Sequence, residues 1–139
     1  MRKVCLVILL SFILWADDSS KAQKAFDRGD FVKAVQLWES LVQQGNSDAQ
    51  YQLGVMYYNG WGVNRDINKT IKLYTLASQQ RNATAQYNLG MIYYHGIHVK
   101  QDYHKAYKLY SLAAKKGEPN AQKVIDLLCK KKPLVCNQQ

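Results

Sequence analysis

Three histidines, His95, His98 and His104, fall within ten residues of one another. Clustered imidazoles are the ligand type that zinc or nickel takes. No carboxylate or thiol completes the set at a familiar spacing, and His104 opens a new helical block, so no metal site is assigned. The hydrolase and phosphate-binding signatures G-x-S-x-G, H-E-x-x-H and a glycine-rich phosphate loop are absent from the sequence. Its ten acidic residues are scattered, without a recurring carboxylate pair. These observations predict a chain that is not an enzyme and takes no cofactor; an envelope hydrolase is the second alternative, with no residue singled out for catalysis. The tyrosines offer different chemistry. Tyr51, Val55 and Tyr58 follow Asp48 at i+3, i+7 and i+10, and Tyr87, Met91 and Tyr94 follow Thr84 in the same way. Tyrosine gives a large amphipathic contact area with little entropy to lose, which suits peptide recognition rather than turnover. The same rings would equally serve to pack neighbouring elements together.

The elements that position these side chains come from an internal repeat. Ala49-Gln50-Tyr51-Gln52-Leu53-Gly54-Val55-Met56-Tyr57-Tyr58 recurs 36 residues later as Ala85-Gln86-Tyr87-Asn88-Leu89-Gly90-Met91-Ile92-Tyr93-Tyr94. Residues 47–82 and 83–118 agree at 16 of 36 positions, and a decayed third copy starts at Ala121-Gln122. A second block, Phe31 to Trp38, matches Ile67 to Tyr74 and Tyr103 to Tyr110 at the same offset. Ala49, Leu53, Met56 and Tyr57 have the spacing of one helix face, and so do Ala34, Leu37, Trp38 and Leu41. Glycines fall at the block ends, where helices stop. The expected fold is all-α: three helix–turn–helix pairs at about 19–45, 47–82 and 83–118, a capping helix at about 119–131 and a tail at 132–139. Each unit buries its apolar face only against its neighbours, so the pairs must stack.

The 139 residues carry a net charge of +9, with 47% hydrophobic residues. That composition is globular. Residues 1–16, MRKVCLVILLSFILWA, place Arg2 and Lys3 before an apolar run and end on Ala16 ahead of Asp17-Asp18. The pattern is that of a secretory signal peptide, so the domain is expected to span 17–139. Without residues 1–16 the chain keeps 17 Lys/Arg against 10 Asp/Glu, a net of +7. That charge gives weak attraction to anionic envelope surfaces.

Cys129 and Cys136 then remain as an even pair in an exported chain, where disulfides form. Seven residues of straight helix would hold their Cα atoms about 10 Å apart, beyond the roughly 7 Å a disulfide tolerates. Pro133 between them stops the helix and lets the chain fold back. A redox pair tuned by Lys130, Lys131 and Lys132 is the alternative, although the spacing is not C-x-x-C; two free thiols are another. Lysines also recur in columns, Lys33-Lys69-Lys105 and Lys72-Lys108. They make a solvated face, or a face for an anionic polymer or lipid.

Leu53-Gly54-x-x-Tyr57 and Leu89-Gly90-x-x-Tyr93 resemble the first-helix pattern of the tetratricopeptide repeat. With the 36-residue period, the loop Tyr58-Asn59-Gly60-Trp61-Gly62-Val63, and Asp66, Lys69, Tyr74 and Ala77, the chain closely resembles the Sel-one-like repeat (SLR) family. Two departures stand out: His98 where the first loop has Gly62, and Arg81 where other copies have Gly45 and Gly117. The resemblance implies a right-handed α/α solenoid that acts as an adaptor, holding a protein or peptide in its concave groove. It implies repeat-packing roles for Ala49, Leu53, Gly54, Tyr57, Ala85, Leu89, Gly90 and Tyr93. It also turns the stripe of Tyr51, Val55, Tyr58, Tyr87, Met91 and Tyr94 toward the groove. Exported bacterial members make a periplasmic or secreted location the expectation. Nothing in the chain resembles a nucleic-acid-binding module.

Overall fold

The computed structural model describes residues 18–137. Residues 1–16, expected from the sequence to be a signal peptide, lie outside the described residues. Helix α1 covers 18–27, and α2 covers Phe31–Gln43. The second pair is α3, Ser47–Asn59, and α4, Ile67–Gln79. The third is α5, Ala83–His95, and α6, Tyr103–Lys115. Helix α7, Ala121–Lys131, and the single turn α8, Pro133–Cys136, close the array. The described residues contain no strand, and none of their helices is long and apolar enough to cross a membrane. Successive helices pack against each other from α2 to α8, as in an α/α solenoid.

The helix starts are written in the sequence. Asp30, Asn46, Asp66, Asn82 and Asp102 each accept a hydrogen bond from the backbone N–H three residues on, at 2.9–3.3 Å. Asparagine opens α3 and α5, and aspartate opens α2, α4 and α6. Such a cap is worth about 1 kcal/mol. Helix α7 lacks a side-chain cap. It starts at Ala121 because Pro119 and Asn120 form a turn.

Small residues let the helices approach. Ala34, Ala49, Ala77, Ala85, Ala106, Ala113 and Ala121 are all fully buried. Trp38, Tyr74 and Tyr110 fill the space between them from the second helices. Gly54 and Gly90 make room for two of these rings: a Cβ at Gly54 would lie 2.6 Å from Tyr74 Cε1, and one at Gly90 2.8 Å from Tyr110 Cε1. Thr70 replaces the column's alanine and turns its hydroxyl to the Gly54 carbonyl oxygen at 3.0 Å. At the cap, Ala121, Ile125 and Leu128 are buried. A Cys129–Cys136 disulfide, with Cα atoms 5.6 Å apart, folds α8 back, and Val135 is buried. The expected tail thus carries one further helical turn at Pro133–Cys136.

Candidate functional site

Helices α3 and α5 share a rotational register, because their motifs match residue for residue. Their predicted packing residues point inward: Ala49, Leu53, Gly54, Tyr57, Ala85, Leu89 and Gly90 are buried, and Tyr93 is half-buried. The neighbouring stripe of Tyr51, Val55, Tyr58, Tyr87, Met91 and Tyr94 is half-buried along its whole length.

A cavity of about 270 Å³ opens between α3 and α5. Tyr51, Val55 and Tyr58 line it from α3 and Met91 from α5, all four from the predicted stripe. Tyr87 and Tyr94 lie one layer further along. Tyr87 packs on Tyr110 with ring centroids 5.6 Å apart, and Tyr94 meets Tyr103 edge-on at 5.4 Å. The structure adds lining residues that the stripe did not contain: Tyr74, Asn88, Asn59, Ile92 and Ile97. Tyr74 was visible only as a repeated aromatic of the second helices. It stacks on Tyr51 at 5.5 Å and is 5% exposed. Asn88 Nδ2 donates to the Tyr51 hydroxyl at 3.3 Å and to the Thr84 carbonyl oxygen at 2.9 Å. Its sole signal in the sequence was the change from Gln52 to Asn88, one of three differences between the two ten-residue motifs.

Burial pushes the Tyr51 phenol above its ordinary value, partly opposed by the Asn88 hydrogen bond. Burial pushes Tyr74 higher still, with Tyr51 and Tyr58 adding to it. Both phenols are therefore protonated and neutral at physiological pH. The cavity wall holds no ionised group. Arg65 lies over the ring of Tyr58, its guanidinium 5.6 Å from the ring centre. Ring faces, hydroxyls and one amide suit an apolar or aromatic side chain whose backbone needs hydrogen-bond partners. The volume is below the roughly 300–1,000 Å³ of small-molecule and cofactor sites. It suits one or two side chains. On its other side Tyr51 borders a polar opening of about 460 Å³ that reaches Ser20 and Gln23 of α1 and Trp38 of α2.

The lysine columns, Lys69 and Lys105 included, are exposed to solvent. Lys69 Nζ sits 4.6 Å from the centre of the Tyr57 ring, and Lys105 Nζ 4.0 Å from that of Tyr93. Both ammonium groups also donate to the phenol oxygens, at 3.4 and 2.9 Å. Lys33, Lys72 and Lys108 are exposed. His95, His98 and His104 are exposed as well. Among the described residues no three His, Cys, Asp or Glu side chains form a metal-sized group.

Comparison with known proteins fits this geometry. The Sel1 repeat family model matches residues 23–46, 47–82 and 83–118. A Sel1 repeat protein from Oxalobacter formigenes superposes with a TM-score of 0.77 at 30% identity, covering 81% of this chain and 48% of its own. A protective antigen present in uropathogenic Escherichia coli strains, which displays an SLR fold, gives a TM-score of 0.78 at 24% identity, covering 85% of this chain and 26% of its own. The chain thus spans about half the length or less of these solved relatives. No curated protein matches it. Sel1 repeats generally form non-catalytic scaffolds that bind protein partners. With three tandem copies of the repeat over most of its length and the matching architecture, this chain belongs to the Sel1 repeat family.

Proposed function

We propose that this chain is an exported, non-catalytic adaptor that holds a protein or peptide segment against the first helices of its repeats. The observation that carries this reading is the uncharged cavity walled by Tyr51, Tyr58, Tyr74 and Met91. It has the size of a side chain, presents ring faces and hydroxyls, and adjoins a second opening across Tyr51. A segment lying along α1, α3 and α5 would place one residue in each. The exposed lysine columns would serve the alternative, polymer-binding reading; Lys69 and Lys105 are held there in part by Tyr57 and Tyr93 of their own repeats. Export fits the basic-then-apolar pattern of residues 1–16 and a disulfide, which persists in oxidising compartments. A periplasmic or secreted location is part of the proposal.

Affinity capture from native cells after mild crosslinking tests it. The parent chain is run beside Tyr58→Ala/Met91→Ala, with melting curves to show that the variant stays folded. A protein held by the parent and released by the variant supports the adaptor. Identical recovery by both chains contradicts it.

A further inference from the structure

Helix α7 occupies the place of a fourth first helix. Its buried residues Ala121, Ile125 and Leu128 stand 36 residues on from Ala85, Leu89 and Ile92, which are buried in α5. The rotational register is therefore kept, and the cavity-lining stripe continues onto α7. Its apolar member persists: Val55 and Met91 are followed by Leu127, 57% exposed. Its tyrosines do not. The position of Tyr51 and Tyr87 becomes Lys123, and that of Tyr58 and Tyr94 becomes Lys130, both exposed. Asn88, which ties down Tyr51, becomes Val124, packed in the cluster of Tyr87 and Met91. The stripe thus passes from an uncharged, ring-walled cavity at α3 and α5 to an open leucine between two ammonium groups at α7. Asp126 stands between the two lysines along α7, three residues after Lys123 and four before Lys130, and accepts from Gln122 at 2.9 Å.

Given the adaptor reading above, on which this inference rests, we propose that the bound segment is an extended peptide of mixed chemistry. An aromatic or aliphatic residue fills the α3–α5 cavity. Further along, an apolar residue flanked by carboxylates lies on Leu127 between Lys123 and Lys130. Helices whose side chains touch lie about 8–10 Å apart, which an extended chain covers in roughly three residues per step. The cavity lies between α3 and α5, about one and a half such steps from α7, so the apolar residue recognised at α7 is about four or five residues from the one in the cavity.

The test uses the full chain and fluorescein-labelled peptides of about twelve residues, with tyrosine and leucine roughly four or five apart. One peptide flanks the leucine with glutamates, the other with glutamines. Fluorescence anisotropy is read for the parent, for Lys123→Gln/Lys130→Gln and for Lys72→Gln/Lys108→Gln, which removes equal charge from the second helices. The parent is expected to prefer the glutamate peptide about fivefold, the effect of two exposed ion pairs. The Lys123/Lys130 variant should lose that preference and the Lys72/Lys108 variant keep it. If both peptides bind the parent alike, or the preference survives in the first variant or vanishes in the second, the α7 assignment is overturned while the adaptor reading stands. If neither peptide binds the parent, both fail. Binding to phosphatidylglycerol vesicles that depends on Lys123 and Lys130, without peptide binding, would make this face a lipid contact and overturn the inference.

Discussion

Gly54→Ala is the sharpest probe of how the cavity wall is set. Alanine inside a helix is ordinarily worth about 1 kcal/mol over glycine, so propensity alone predicts a more stable protein. Packing predicts the reverse. The new methyl would stand 2.6 Å from Tyr74 Cε1 and 2.7 Å from its Cδ1, about 1 Å inside the optimal separation of roughly 3.5–4.0 Å. The ring has little room to retreat, since it is 5% exposed and stacked on Tyr51. Overpacking costs about 1–3 kcal/mol, and an overlap this large on a confined ring belongs at the upper end. Subtracting the helix gain leaves a net loss of about 2 kcal/mol, or a Tm lower by about 8 °C for a domain of this size. Tyr74→Leu, which withdraws the ring, should make alanine at 54 far less costly, with a coupling of at least about 1 kcal/mol in a double-mutant cycle. Thermal melts of the four chains decide the matter. Gly54→Ala melting at or above the parent would refute the close-approach reasoning.

Three further predictions follow from single observations. Arg81 holds a left-handed backbone, φ 64°, where its counterparts are Gly45 and Gly117; Arg81→Gly should raise stability by about 0.5 kcal/mol, and a lowered Tm would contradict this. Cys129→Ser should cost up to about 2.5 kcal/mol in the chain-entropy account of so short a loop, read as a lower denaturant midpoint that added reductant reproduces in the parent but does not lower further in the variant. Burial, first among the causes, raises the phenols of Tyr51, Tyr74 and Tyr110 above their ordinary value. The folded state therefore keeps protons that the unfolded state gives up above about pH 10. Their contribution to stability is complete below that pH and is lost as pH rises through it toward the folded values. Melts from neutral pH upward should show a steep fall beyond about pH 10, and an unchanged Tm there would contradict the burial.

The fold was legible because the chain repeats its own instructions. The 36-residue offset aligned α3 with α5 and α4 with α6. The Asn and Asp caps, with Gly60 and Gly96 left-handed at the far ends of α3 and α5, marked where the first helices start and stop. Arg81 and His98 broke the glycine pattern without breaking the backbone, since both adopt positive φ in the glycine's place. Less of the site was legible. Periodicity within one helix found Tyr51, Val55, Tyr58 and Met91. It could not show Tyr74 joining them, because that contact crosses from α4 to α3 through the space left by Gly54. Nor could it separate Tyr87 and Tyr94 from the cavity, because their neighbours are rings of α6, Tyr110 and Tyr103. The lysine column is exposed as read from the sequence, but the contacts of Lys69 with Tyr57 and of Lys105 with Tyr93 were not legible there.

A photo-crosslinking amino acid set at single positions in native cells tests the central claim most directly. Positions 58 and 91 line the cavity. Position 76 is an exposed leucine on α4, two residues from Tyr74 and so about 200° round the helix from the cavity. A groove-binding adaptor gives a discrete protein adduct from 58 and 91 and none from 76. An adduct from 76 alone, or the same adduct from all three positions, would contradict recognition by the tyrosine-walled face.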